Sequence, residues 1–408
     1  MLRYRKLSFL LCILLCITFL LGMNKPENME GKKIFKNISV KNIDIGGLTY
    51  KEALKEINKY YKEKDIIINY DGKSWTLRPD EIELSYNIEK ALSEAYDYTE
   101  TENRFENIKR KTGLIFKGNH NIELKATYNE TKLSNFIENI CKEIDISVTQ
   151  ASVEIKDSGE IIRTPSKEGK EVQKIKLKED IYNMICDKKI KSLNLPVKIV
   201  NPTITTEDIQ SINTVLGQFS TSFNEHNSRG SNIHVAGKST SDKLIMPYEM
   251  FSYNKATGAR NWVNGYKSAK VIIGGKYVNG EGGGVCQVST TIYNAALLSG
   301  MRIEEVHNHT MPSRYVPRGR DAAVSYGYTD FKFKNPYSHP IYIKNIVSNG
   351  AITSKIYGCS QDREKLYIKT EEKIEKTNII VKTYRVYLDE ENNKIREELI
   401  ATSKYKLK

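Results

Sequence analysis

The residues best equipped for chemistry in this chain gather around one cysteine. Cys286 follows Gly282-Gly283-Gly284 and precedes Gln287, Val288 and the hydroxyls of Ser289, Thr290 and Thr291. Consecutive glycines cost backbone entropy and are kept where a positive φ is needed or where something approaches the backbone closely. Beyond them Val288, Ile292, Ala295, Ala296 and Ser299 recur at helical spacing as far as Gly300, which predicts a helix with one buried face starting at or near Cys286. Unpaired N–H groups and the helix dipole favour a thiolate at that end.

A thiol nucleophile needs a base, and the base needs an orienting acid. Downstream of Cys286 lie His307 and His309, on or beside an expected strand, then Asp321 and Asp330 on later ones. In this reading Cys286 attacks an amide or ester carbonyl, and His309 is base and then acid. Asp321 orients the imidazole, while Gln287 or a backbone N–H stabilises the oxyanion. His307 competes with His309 for its role, and Asp330 with Asp321. The chain order of cysteine, histidine and acid is similar to that of transglutaminase-like enzymes, a resemblance of order and not of sequence.

A second reading needs no chemistry. Arg302, Arg314, Arg318 and Arg320 lie close together in sequence, interleaved with Asn308, His309 and Tyr315. Guanidinium forks match carboxylates bidentately. Gly283 and Gly284 would let a glycan or peptide lie against the backbone, with Cys286 a packing residue. A metal site from His307, His309, Cys286 and His226 or His234 lacks any Cys-x-x-Cys or His-Glu-x-x-His spacing, so no metal is expected. No nucleotide loop or cofactor fingerprint is present, and no cofactor is expected.

The elements that must hold these residues are mostly strands after Gly300: 302–306, 322–326, 330–334, 341–347 and 351–357, with 359–408 as a β-hairpin extension. Upstream, an order of elements occurs twice. A helix at 49–61, opened by Thr49 with Glu52 three residues on, leads to strands 65–70 and 74–77 about Asp71-Gly72, then to a helix from Ile88. A helix at 131–144, strands 147–156 and 160–164 about Ser158-Gly159, and a helix at 177–186 repeat it.

The segment Gly282 to Ala296 resembles the VanW family, together with Phe219-Ser220-Thr221-Ser222-Phe223-Asn224, Gly319-Arg320-Asp321-Ala322 and Asp330-Phe331-Lys332-Phe333-Lys334-Asn335. The likeness covers roughly 216–350. It departs at Pro247-Tyr248-Glu249, where the family pattern has glycine in the middle, so a tight turn there is not expected. The family takes its name from an accessory protein of vancomycin-resistance clusters, and the resemblance implies a bacterial cell-envelope protein. The repeated units, with Asp44-Ile45-Gly46-Gly47-Leu48-Thr49 ahead of them, are similar to the peptidoglycan-binding domain that often precedes VanW domains. That domain also occurs beside L,D-transpeptidase domains. Peptidoglycan or its stem peptides are the implied partner.

Arg3, Arg5 and Lys6 precede an uncharged apolar run at 7–23. No A-x-A cleavage site follows, and leucine stands before both Cys12 and Cys16, so a signal anchor is expected. Residues 1–6 would stay inside, 24–43 form a tether, and the rest lie outside. The net charge of +13 on an exported chain then speaks for wall polymers and headgroups, with no nucleic acid. Cys141 and Cys186 read as core residues, and a Cys286–Cys359 disulfide is the alternative to a free thiol.

The expected architecture is α+β: a membrane helix, two α+β units at 44–125 and 126–203, a mixed α+β domain at 204–358 and a β-rich extension. The expected function is wall binding in wall maintenance or glycopeptide response. A cysteine enzyme acting on stem peptides is the alternative.

Overall fold

The computed structural model describes residues 31–62, 64–186, 192–273 and 276–407. The expected anchor at 7–23 lies outside the described residues, among which no helix is long and apolar enough to cross a membrane. Two units are distinguished: residues up to Ser147 with Lys170–Val200, and Val148–Gly169 with Asn201–Lys408.

In the first unit Thr49 caps the helix Tyr50–Tyr61, Glu52 completing the reciprocal capping box, and Ala53 and Ile57 turn inward. They share a core with Ala91, Leu92 and Ala95 of the helix Ile88–Asp97 and with Ile34, Ile38, Val40 and Ile45. The expected tether is therefore folded from Ile34 onward, because Ile38–Val40 pairs with Ile43–Asp44 and with His120–Ile122. At Asp71 (φ 48°) and Gly72 (φ 77°) both central residues of the hairpin turn are left-handed, as a tight two-residue connection requires.

Helix, hairpin and helix do recur in the expected order, but the two sets do not pack as consecutive repeats. Ile66, Ile68 and Leu77 of the first hairpin are buried against Leu133, Ile137 and Ile140 of the helix Glu130–Ile144 and Leu177 and Ile181 of the helix Lys174–Cys186. The strand Ser192–Asn194 adds to the same hairpin in parallel. The second hairpin, Ser152–Ile155 with Ile161–Thr164, falls in the other unit, where Ile155 packs on Ile212, Tyr342 and Tyr357. Periodicity marks the buried face of each element and leaves the choice of partner open, which is why a sequential boundary near 125 does not hold. The helix Arg104–Lys117, capped by Asn103, was not anticipated.

The second unit is built on an antiparallel sheet in the order Thr214–Ser222, Ala351–Gly358, Ile341–Ser348, Lys243–Ile245. Against it pack the helices Ser228–Thr240 and Val285–Leu298, the latter the cysteine helix. A small sheet joins Met250–Ser252, Lys332–Lys334 and Arg302–Glu305. The tail exceeds a hairpin: Leu366–Glu375, Asn378–Leu388 and Lys394–Lys406 form a three-stranded meander. The strand expected at 322–326 is absent, and Ser325 instead closes a turn onto Thr329. The tight turn at 246–249 forms despite the missing glycine, with Tyr248 held at φ 63° and the Glu249 N–H donating to the Met246 carbonyl at 3.1 Å.

Candidate active site

The cysteine helix is buried almost all round, Val285 and Gln287 through Leu297, rather than along one face. Its buried serine, threonines, asparagine and glutamine tolerate burial because each is bonded, whereas the Tyr293 hydroxyl has no partner among the described residues. Ser289 Oγ donates to the Ala322 carbonyl at 2.6 Å, and Thr290 Oγ1 accepts the Ala322 N–H at 3.0 Å. Asn294 Nδ2 donates to the Arg320 carbonyl at 2.8 Å, while its Oδ1 accepts from Arg320 Nε at 2.6 Å. The hydroxyl-rich run thus clamps residues 320–322 along the helix and fixes Asp321 in place.

At the helix start Gly284 has φ 108°, and a Cβ there would lie 2.9 Å from the Arg229 carbonyl oxygen. A Cβ on Gly283 would lie 2.7 Å from the carbonyl oxygen of Lys270. The close approach expected of a ligand at these two glycines is made by the chain's own backbone. Gln287 is likewise committed: its Nε2 donates to Thr221 Oγ1 and the Ser222 carbonyl, each at 2.9 Å, and its Oε1 accepts from Arg229 Nη2 at 2.7 Å. Both amide hydrogens are used, so this side chain braces the helix and has none to offer an oxyanion.

Cys286, His309 and Asp321 come together. Asp321 Oδ2 accepts from His309 Nδ1 at 2.6 Å and from the His309 backbone N–H at 2.8 Å. Oδ1 accepts from the Tyr405 hydroxyl, which itself accepts the Gly319 N–H at 2.7 Å. The same imidazole acts on the Cys286 thiol, lowering the thiol and being raised by it in turn. Sγ also lies 3.5 Å from the Val324 carbonyl oxygen. The His309 loop is held from the tail: Asn308 Nδ2 donates to the Lys404 carbonyl at 2.9 Å, and the Lys406 N–H donates to the Thr310 carbonyl at 3.1 Å.

Burial alone would drive both members of the pair toward neutrality. For Cys286 it is outweighed by the hydrogen bond and charge of His309, helped by the Val324 backbone and the charge of Arg260, and the thiol lies below its ordinary value. For His309 burial is outweighed by the Asp321 hydrogen bond first and the thiol second, and the imidazole is pushed up to about 10. Both shifts favour a thiolate and imidazolium over a neutral thiol and imidazole. Such a pair can attack an acyl carbon and protonate the group that leaves.

The alternates sit elsewhere. His307 Nε2 pairs with Glu305 at 3.0 Å on the surface. Asp330 accepts from Ser252 Oγ at 2.6 Å and from the Asn254 and Phe331 N–H groups at 2.8 Å each, which makes it a turn and cap residue. The arginines go to different partners: Arg302 to Glu304, Arg318 to Glu372 at 2.8 Å, and Arg320 inward over the Phe219 ring at 5.0 Å, while Arg314 is exposed. All four described cysteines are free, so Cys286 and Cys359 are not joined.

Among the described residues one group of three could offer metal ligands, His339, Cys359 and Asp362. His339 Nδ1 already faces the Asp362 carboxylate at 3.1 Å, which calls for an N–H and not a free lone pair. His226 is exposed beside Glu225, and His234 packs edge-on against Phe223.

Three comparisons bear on this geometry. The description "VanW like protein" matches residues 228–357, and "Putative peptidoglycan binding domain" matches 75–192. An uncharacterized protein of Bacillus subtilis (strain 168), YoaR, is 35% identical over 230 residues, 55% of this chain and 74% of that protein. This chain belongs to the VanW family. The vancomycin B-type resistance protein VanW of Enterococcus faecalis (strain ATCC 700802 / V583) is 28% identical over 109 residues, covering 26% of this chain and 40% of that protein. No solved structure gives a significant match. The VanW match contains Cys286, His309 and Asp321 but neither Thr221, which holds Gln287, nor Tyr405, which holds Asp321. Tyr405 went unforeseen because nothing in the local pattern of the tail distinguishes it from any strand tyrosine.

Proposed function

We propose that this VanW family protein is a thiol-dependent acyltransferase or hydrolase acting on the peptide stems of peptidoglycan. The observation that carries the reading is the His309 imidazole held at 2.6 Å by the buried Asp321 carboxylate and acting on the Cys286 thiol. The Cys286 thiolate adds to an amide carbonyl, and the tetrahedral adduct collapses to a thioester as the imidazolium of His309 gives its proton to the departing amine. Water or a second amine then attacks the thioester, His309 takes its proton, and the thiolate is regenerated. The peptidoglycan-binding match supports the wall as the place where the substrate is met.

The setting belongs to the same proposal. The apolar run at 7–23, with Arg3, Arg5 and Lys6 crowded just before it against Lys25 alone just after, supports a membrane anchor with the described residues outside the cell. Wall maintenance is the proposed role. A part in glycopeptide response rests on the printed name of the Enterococcus faecalis relative and is tested by the glycopeptide sensitivity of a deletion strain.

The test is to incubate purified protein with soluble wall fragments and follow release or exchange of stem residues by mass spectrometry. Product formed by wild type and lost in Cys286→Ala and His309→Gln is expected. Product formed equally by Cys286→Ala, or none from any wall fragment, would overturn the enzymatic reading and leave wall binding.

A further inference from the structure

Two guanidinium groups flank the glycine turn in front of Cys286, and neither has an acidic partner among the described residues. Arg260 lies beside Gly282: a Cβ there would meet Arg260 Cβ at 2.9 Å. Arg229 lies beside Gly284, whose Cβ would meet Arg229 Cγ at 3.0 Å. Arg229 spends one Nη2 hydrogen on a neutral acceptor, Gln287 Oε1. Arg260 Nη2 donates to Asn254 Oδ1 at 2.5 Å and Thr257 Oγ1 at 3.0 Å, again neutral groups. Its Nε and Nη1 are buried with no hydrogen-bond partner. Guanidinium donors buried without a hydrogen-bond partner are uncommon in native structures.

The neighbours of Arg260 belong to the thiol site. Its guanidinium lies 5.7 Å from the Tyr253 ring, whose hydroxyl donates to the Val285 carbonyl at 2.9 Å. It lies 5.6 Å from the ring of Tyr326, an exposed side chain two residues after Val324, whose carbonyl faces Sγ. No carboxylate of the described residues pairs with either arginine, and the charge of Arg260 acts on the Cys286 thiol. Resting on the thiol reading above, we infer that Arg260 and Arg229 bind a carboxylate carried by the substrate next to the bond that Cys286 attacks, with the exposed Tyr326 ring covering the Arg260 side. The acceptable substrates are then peptides with a free carboxylate close to the scissile amide, rather than amidated or internal peptide bonds. Guanidinium forks recognise a carboxylate bidentately.

The test uses binding, so that it stands apart from turnover. Full-length protein carrying Cys286→Ala is titrated by calorimetry with N-acetyl-alanyl-alanine in each stereochemical form, and with the same peptides amidated at the C-terminus. The free carboxylate of at least one form should bind at least about tenfold more tightly than its amide. That preference should disappear on adding Arg260→Gln, and shrink on adding the partly buried Arg229→Gln, which keeps the test open if Arg260→Gln fails to fold. Equal affinity for acid and amide, binding of neither, or a preference that survives both arginine substitutions would overturn the inference. Absence of turnover in wild type, with the carboxylate preference intact, would instead overturn the enzymatic reading alone.

Discussion

Replacing Asp321 by asparagine isolates the link between carboxylate and thiol. Asp321 is 3% exposed, accepts two hydrogen bonds from His309 and is the largest influence raising its imidazole. Asparagine keeps the shape and one acceptor oxygen but removes the charge. Burial, which acts against protonation, is then opposed by the thiol alone, and His309 falls from about 10 toward its ordinary 6.5. At pH 7 the imidazole is less fully protonated and Cys286 loses part of its cationic support. A thiol returned to its ordinary 9.0 is only ~1% thiolate at pH 7, and each unit of depression in the wild type multiplies that fraction by about ten. The rate of alkylation by iodoacetamide at pH 7 should therefore drop about tenfold or more, with the midpoint of its pH profile moving upward. Asp330→Asn, which alters the turn at Asn254 and Phe331, should leave rate and midpoint in place. An Asp321→Asn protein that is folded by circular dichroism, yet alkylates at the wild-type rate with the wild-type midpoint, would refute the coupling.

Turnover should follow a bell in pH: the acid limb is protonation of Cys286 below its ordinary value, and the alkaline limb near pH 10 is loss of the His309 proton that the leaving amine needs. A rate still rising above pH 11 would contradict it. Tyr405→Phe leaves Asp321 Oδ1 and the Gly319 N–H without their partner and should cost about 1–3 kcal/mol in urea unfolding, together with a slower alkylation of Cys286. Unchanged alkylation would confine Tyr405 to a packing role. Tyr248→Gly relieves a left-handed tyrosine whose ring is 58% exposed, and should stabilise by about 1 kcal/mol, read as a raised melting temperature. No gain would mean that the turn is not strained.

The site was legible in sequence where residue type carries chemistry. Cysteine after three glycines, histidine and aspartate are few enough that their candidates could be named, and Cys286, His309 and Asp321 do meet. The choice of His309 over His307 was not legible. Two residues apart, they differ only in that one faces Asp321 and the other Glu305, which is decided by where 320–322 is clamped. The roles of Gln287 and the glycines were read too openly, because a residue pattern does not say whether the close neighbour is a ligand or the chain itself. In the first unit hairpin and cap signals placed elements well, since those are local. The pairing of the first hairpin with Glu130–Ile144 is a long-range choice that no local pattern records.

The tail carries the largest difference between sequence and structure, and the reason bears on how far the unit that holds the candidate site extends. Read alone, 359–408 is a set of alternating strands with no candidate residue. In the fold its last strand bonds the His309 loop through Lys404 and Lys406 and the Asp321 carboxylate through Tyr405, while Thr383 Oγ1 donates to the Gly319 carbonyl at 2.8 Å. From the middle strand Arg385, 1% exposed, donates from Nε to the Leu297 carbonyl at 3.0 Å and from Nη2 to the Met301 carbonyl at 2.7 Å, satisfying carbonyls left open where the cysteine helix ends. His309, Asp321 and the helix that bears Cys286 are thus each tied to the same meander, although the VanW match ends at residue 357. The aspartate cannot be held rigidly by 320–322 alone, because one of its two oxygens finds its donor only in the tail. The functional unit therefore runs at least to Tyr405.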